Sequence, residues 1–265
     1  MTPEALVERV EQAAAEAGTV LFLSPHLDDA VLSCGALMSW LVRSSRVVVV
    51  TVFSAAGPPP HTLAARSFLR QCSAAGAAEL YEGRHEEDAE VLRRLGAEHV
   101  HLDVPDALFR KRVVPAPVAR LGKVVPELVH RYPTFRFDID RGRISRGDRV
   151  LVDLVHERVA RIAEEVDAGL VFCPIGVGRH VDHLLTRAVG EGFPGRVVYY
   201  SDFPYNQAQS PDHRYLSEHG LQPCTWHDGL AGKLELIRGY RTQVDALFPT
   251  GEIAEAPEVY FLAST

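Results

Sequence analysis

The sequence predicts an α/β fold of Rossmann-like type, a mostly parallel sheet with helices on both faces. Three observations predict it. Short apolar runs recur at residues 20–23, 47–53, 99–103, 170–174 and 197–200. Helical patterns fall between them, near 29–42, 84–95, 150–165 and 183–189, and strands that alternate with helices are joined by right-handed crossovers into a parallel sheet covered on both sides. The chain has 265 residues of ordinary apolar content, 46%, enough for one large α/β domain with a substantial core. With no internal repeat, low-complexity tract or linker, a single domain over residues 1–265 is expected, carrying an insertion around 106–148.

Taken in order, residues 1–18 read as an acidic helix with Leu6, Val7 and Val10 on one side. They lack the basic start and apolar centre of a signal peptide. Val20-Leu21-Phe22-Leu23 reads as a buried strand, Ser24 and Pro25 as a turn, and the residues from Ala30 onward as a helix. The second strand runs into Ala55-Ala56-Gly57-Pro58-Pro59-Pro60, a loop. Residues 106–148 mix basic, aromatic and proline residues without a clean strand. They are expected to form an insertion near the mouth of the site, with a helix around 114–130. Within it, Arg141-Gly142-Arg143-Ile144-Ser145-Arg146 reads as a solvated loop. Leu170-Val171-Phe172-Cys173-Pro174 repeats the first pattern: strand, glycine-containing loop, helix.

Charge and cysteine usage narrow the function classes. A net charge of −7 with no long basic run argues against a nucleic-acid role resting on phosphate neutralisation. The four cysteines, Cys34, Cys72, Cys173 and Cys224, form no CxxC pair, so a zinc ribbon and a thioredoxin-type motif are both unsupported. Reduced, largely buried thiols suit a cytoplasmic protein. No apolar stretch is long enough to span a bilayer.

The chemistry sits at the two strand-to-helix turns. Pro25-His26-Leu27-Asp28-Asp29 follows the first strand, and His180-Val181-Asp182-His183 follows the fourth. An open α/β sheet places its ligands beyond the carboxyl ends of its strands. Burying a histidine and two carboxylates there is costly unless something compensates, and a metal ion does so. His180 and His183 are three apart and share a helix face. An isolated aspartate at such a turn is most often a helix N-cap, and a lone histidine most often a satisfied polar residue. Two such clusters at matching strand ends instead point to one metal site. Hydrolases of this kind keep three protein ligands and an open position for water. His26, Asp29 and His183 are the expected ligands, zinc the expected cofactor, with ferrous iron or another divalent metal also suited. Asp28 is the expected general base, and His180 is placed to stabilise the oxyanion or protonate the leaving amine. Asp182 is expected to orient an imidazole from behind.

These residues resemble the signatures of the PIG-L (LmbE-like) de-N-acetylase family, Pro-His-x-Asp-Asp and His-x-Asp-His. The resemblance runs from Val20 to Phe248 and implies the same roles for His26, Asp28, Asp29, His180 and His183. It further implies that Arg84, in Arg84-His85-Glu86-Glu87, approaches substrate and that Asp106 binds sugar hydroxyls. Residues 233–243 are similar to a C-terminal helix of the family. Three departures stand out: Arg179 stands where the family often has glycine, Val181 replaces a frequent proline, and Gly178 stands where some members place a mobile tyrosine. Asp202 or Tyr205, after the next strand, is expected to fill that gap at the substrate.

The resulting expectation is a metal-dependent hydrolase that removes an N-acetyl group from an amino sugar or glycoconjugate, with no nucleic-acid partner. A related amidase cleaving a larger acyl group, or a thiol conjugate of a glucosamine-inositol scaffold, shares the same residues. A nucleotide-binding module is disfavoured because the first turn carries no G-x-G-x-x-G. A non-catalytic sugar-binding protein is disfavoured because all five residues of the proposed chemistry are present.

Overall fold

The computed structural model describes residues 3–263; Met1 and Thr2 of the expected first helix, and the last two residues, lie outside them. The chain runs α1 (Pro3–Ala17), β1 (Thr19–Ser24), α2 (Asp29–Leu41), β2 (Arg46–Thr51), α3 (Leu63–Gln71), α4 (Ala77–Leu95) and β3 (Glu98–His101). After α5 (Ala116–Leu121) come α6 (Arg149–Glu165), β4 (Ala168–Pro174), α7 (Val181–Gly190), β5 (Val197–Tyr200) and α8 (His213–Glu218). The end of the chain forms β6 (Leu221–Trp226), α9 (Leu230–Ile237), α10 (Arg241–Leu247) and β7 (Glu258–Ala263).

One seven-stranded sheet has the order β3-β2-β1-β4-β5-β7-β6. The five strands from β3 to β5 are parallel. β7 runs antiparallel to β5, and β6 antiparallel to β7. The register sets Val20 beside Val47 and Leu170, and Phe22 beside Val49 and Phe172. Successive side chains then enter opposite layers. Val20, Phe22, Val47, Val49, Leu170 and Phe172 join the core beneath α1 and α2. Leu21, Leu23, Val48, Val50, Val171 and Cys173 join the core beneath α6 and α7. Because both faces are covered, β1, β2, β4 and β5 are mostly apolar and buried, which is what made them readable.

The expected mostly parallel sheet with helices on both faces is the one observed, with differences at its margins. The helix expected at 114–130 is confined to α5 and a single 3-10 turn at Pro126–Leu128. Pro115, Pro117 and Pro126 lack the donor that an interior helical position needs, and Val124 and Val125 are stiff at χ1. The C-terminal helix at 233–243 is two helices, interrupted around Gly239, where an added Cβ would come 2.4 Å from Val91. α3 and the β6–β7 pair were not anticipated. β6 carries Pro223, which is tolerated because the strand lies at the sheet edge.

β1 and β4 are neighbours, yet α2 packs on one face and α7 on the other. The strand order reverses between them. The loops after β1 and β4 therefore diverge and leave a crevice beyond the strands' carboxyl ends, where open α/β sheets bind ligands. Phe22 and Phe172 stack across this central pair at 4.4 Å, and Tyr260 meets Phe172 edge-on at 5.7 Å. Phe172→Ala is expected to cost about 3–5 kcal/mol, seen as a lowered urea midpoint with an unchanged m-value.

Candidate metal centre

The first turn is built by short-range hydrogen bonds. Ser24 Oγ donates to the His26 carbonyl at 2.6 Å and accepts from Ala30 N–H at 3.0 Å, tying strand end to helix start. Asp29 Oδ2 accepts from His26 N–H at 2.9 Å and lies 3.0 Å from His26 Nδ1. Asp28 occupies the N-cap position of α2, but its side chain caps nothing and lines the crevice instead. The second turn is shaped by Asp202, which follows β5 and accepts from Gly176 N–H and Val177 N–H at 2.8 and 2.7 Å. Gly176 and Gly178 both have φ +83, a conformation that favours glycine. His180 is the N-cap of α7, its Nδ1 accepting from Asp182 N–H at 3.2 Å.

These turns bring three imidazoles together. Ring centroids lie 5.0 Å apart for His26 and His180, 5.3 Å for His26 and His183, and 5.3 Å for His180 and His183. One ligand atom from each of His26, Asp29 and His183 falls within 4.8 Å of the others; so does one from each of His26, His180 and Asp182. His183 Nδ1 is 2.7 Å from Asp202 Oδ1, and a carboxylate only accepts, so the neutral ring carries its lone pair on Nε2. That Nε2 is fully enclosed, 3.3 Å from Asp29 Oδ2, and has no hydrogen-bond partner. A buried lone pair facing a buried carboxylate oxygen is repulsive unless a cation or a proton stands between them. Two imidazoles and a carboxylate are a donor set for zinc or ferrous iron.

Protonation follows the same logic. Burial lowers the His26 imidazole, but hydrogen bonds to Asp182 and Asp29, with Asp106 nearby, raise it to about 10. His183 is likewise held well above its ordinary value by Asp29 and Asp202, against burial. Burial opposes the charge of Asp29, yet His183 and His26 hold it well below the usual carboxylate range. Asp28 moves the other way: burial, then the charge of Asp29, lift it to about 6, while Arg84 and His26 oppose the rise. His180 is pushed well below its ordinary value by burial and by His26. Its imidazole is neutral, and with Nδ1 accepting from the backbone, Nε2 is the donor.

A cavity of about 490 Å³ opens on this cluster. Arg84, on α4, reaches it from below, 4% exposed, with Nη2 3.7 Å from Asp28 Oδ1 and Nε unpartnered. Asp106 also lines it, although Oδ1 already accepts from Leu108 N–H and Oδ2 from the Tyr81 hydroxyl at 2.7 Å. Tyr205 lines the wall, edge-on to His183 at 5.7 Å. A Cβ at Gly178 would come 3.1 Å from its ring, so Tyr205 takes the space a side chain at 178 would need. Asp202 is different from the expectation of a substrate contact: 1% exposed, it stands behind His183 with both oxygens engaged. Asp182 sits behind His26, its Oδ2 3.3 Å from Nε2.

Several site residues carried no signal in the sequence. Phe68 and Gln71 of α3, Gln243 and Leu247 of α10, and Phe135 of the insertion form the outer cavity. They are ordinary residue types with no spacing that marks them. Arg110 binds Asp182 at 2.5 Å; its one hint was a cation directly after the apolar Ala107-Leu108-Phe109.

A parallel sheet with histidine–aspartate turns at its switch point defines a class: α/β hydrolases built around a divalent metal. Residues 21–193 match the sequence profile of the PIG-L family, described as GlcNAc-PI de-N-acetylase. The chain belongs to this family and is an N-deacetylase. A 2′-N-acetylparomamine deacetylase of Streptomyces fradiae is 30% identical over 240 residues, covering 86% of this chain and 74% of that protein. A 2′-N-acetylparomamine deacetylase of Niallia circulans is 27% identical over 258 residues, covering 89% and 83%. Among solved structures, the zinc-inhibited form of teicoplanin deacetylase Orf2 shares the fold, with TM-score 0.70 at 24% identity over 92% of this chain and 97% of that one.

Two outcomes are expected from this geometry. Zinc added to chelator-stripped protein near pH 7.5 displaces the protons on His26 and His183, so calorimetry in buffers of different ionisation enthalpy reads release of about two protons per ion. Affinity rises with pH accordingly; a pH-independent affinity rules out this donor set. Gly178→Ala, strained at φ +83 and crowding Tyr205, lowers turnover more than zinc affinity, checked by kinetics beside a chelator competition.

Proposed function

We propose that this enzyme hydrolyses the N-acetyl group of an amino sugar within an aminoglycoside-type compound, the substrate class named for its Streptomyces and Niallia relatives. His26, Asp29 and His183 hold the divalent cation, zinc or ferrous iron. When bound, the cation supplies Lewis-acid polarisation of the acetyl carbonyl and acidifies a water. The observation that carries the reading is Asp28: a buried carboxylate with no capping duty, raised to about 6, at the floor of the cavity beside that cluster.

The chain's own residues then divide the work. Asp28 accepts a proton from water as its oxygen attacks the carbonyl carbon. His180, neutral, donates from Nε2–H to the oxyanion that develops on the substrate. As the C–N bond breaks, the proton held by Asp28 passes to the amine nitrogen, and acetate and a free sugar amine leave. Arg84 and Asp106 contact the sugar near the reacting carbon, and Tyr205 closes the wall beside it. The outer cavity, with Phe68 and Leu247 as apolar walls and Gln243 as a polar contact, takes the second ring. Four cysteines free of disulfides suit action in the cytoplasm, and the chain serves as one deacetylase domain with its insertion at 106–148.

Amine release from a panel of N-acetylated aminoglycosides, N-acetylglucosamine and N-acetylated peptides tests the substrate class. Preference for the aminoglycosides is expected; equal rates on acetylated peptides would discard it. Asp28→Asn is expected to keep its metal by elemental analysis and lose about 10²–10⁴ in kcat, whereas His183→Ala loses the metal. The pH profile follows from the sign of the Asp28 shift. The base is active when ionised, so kcat/KM falls as pH drops through its pKa. A bound cation stabilises the carboxylate further, placing this limb at or below about pH 6. A loss of activity beginning at alkaline pH would assign the limb to another group.

A further inference from the structure

Arg110 lies in the insertion, not in either motif, yet it is 6% exposed. Its guanidinium bridges two buried carboxylates: Nη2 to Asp182 Oδ1 at 2.5 Å and Nη1 to Asp148 Oδ2 at 2.8 Å. Nε and Nη2 also donate to the Pro105 carbonyl at 3.1 and 3.0 Å, and the plane lies over the rings of Phe53 and Tyr132. Every branch of the fork is used, in a geometry that lysine does not reproduce.

The two carboxylates face different parts of the molecule. Asp182 Oδ2 accepts from Ala107 N–H at 2.8 Å and lies 3.3 Å from His26 Nε2, so it sets the orientation of that imidazole. Asp148 accepts from the Tyr132 hydroxyl at 2.5 Å and pairs with Arg131 at 3.1 Å. Tyr132 in turn accepts from Ser145 N–H at 3.0 Å. Asp148 is thus the knot that ties residues 131–148 together, and Phe135 of that stretch lines the cavity.

We propose that Arg110 is a positioning residue that couples the insertion to the metal centre. Through Asp182 it holds His26 with Nδ1 turned to Asp29, and through Asp148 it clamps residues 131–148 to the same chain of contacts. Partners behind a metal-bound imidazole typically change metal affinity by about 10–100-fold when lost. Coupling is reciprocal: what steadies His26 steadies the insertion, and an ion on His26 steadies it too. The inference rests on the reading that His26 is a metal ligand.

The test combines zinc affinity, by competition with a chromophoric chelator, with hydrogen exchange of residues 131–148. In the wild-type protein, zinc is expected to slow exchange across that stretch relative to the chelator-stripped form. Arg110→Met is expected to weaken zinc about 10–100-fold and Arg110→Lys by less. Arg110→Met combined with Asp182→Asn is expected to lose no more than the larger single effect, because both act on one relay. Zinc binding that leaves exchange at 131–148 unchanged overturns the proposal. So does Arg110→Met or Arg110→Lys binding zinc as the wild type does, or strict additivity of the pair. Wild-type protein that takes up no zinc instead refutes the ligand reading beneath it. Should Arg110→Met not fold, the wild-type exchange measurement and Arg110→Lys decide.

Discussion

Positive charge between His26, Asp29 and His183 is the constraint on which the rest of this molecule depends. Asp28, Asp29, Asp106, Asp182 and Asp202 are all buried within one crevice, while Arg84 and Arg110 are the guanidinium groups that reach it. Unpaired ionised carboxylates in such a place cost several kcal/mol each. Two imidazolium protons offset most of that charge, and so does one divalent cation that displaces them. The exchange leaves the total charge unchanged. The ligand-type atoms of His26, Asp29 and His183 already lie within 4.8 Å of one another.

Topology turns that constraint into a site. Adjacent parallel strands whose helices leave to opposite faces open a gap at their carboxyl ends. His26 and Asp29 come from the turn after β1 and the start of α2, His183 from the start of α7. Each imidazole then has a carboxylate at its back, Asp182 for His26 and Asp202 for His183. Asp202 does this while holding the Gly176 and Val177 amides. One side chain thereby fixes both the shape of the second loop and the tautomer of the histidine that the loop delivers.

What could be read from the sequence follows from where the information lies. His26, Asp28, Asp29, His180 and His183 were legible because their residue types are unusual beside apolar strands and their spacing is local. β1, β2, β4 and β5 were legible because burial on both faces leaves a mostly apolar run, whereas β3 holds a single apolar residue, Val100. Asp202 was misplaced as a substrate contact because a loop aspartate looks the same whether it faces the cavity or the back of a histidine. The walls from α3 and α10 were invisible, since Phe68, Gln243 and Leu247 become site residues only through packing of distant segments. Arg110 belongs with them: nothing in its neighbourhood names Asp182, 72 residues away. β6 and β7 form an antiparallel edge outside the strand–helix rhythm on which the reading relied.

Asp28 and Asp29 show how one helix start makes two different acids. They are identical, adjacent and equally enclosed, yet their proton affinities move in opposite directions. Asp29 faces two imidazoles and a backbone amide, so its charge is stabilised more than burial penalises it. Asp28 faces away from that pair and feels Asp29 as a repulsive neighbour, with Arg84 3.7 Å away as partial relief. Pairs of titratable groups whose environments drive their pKa values apart are the pattern of divided roles, the division proposed for Asp29 and Asp28. Arg84 therefore acts on Asp28 whatever else it meets in the cavity. Its charge opposes the rise that burial and Asp29 impose on Asp28. Arg84 thus leaves Asp28 with its value at about 6, the range that suits a carboxylate which takes up and gives back a proton near neutral pH.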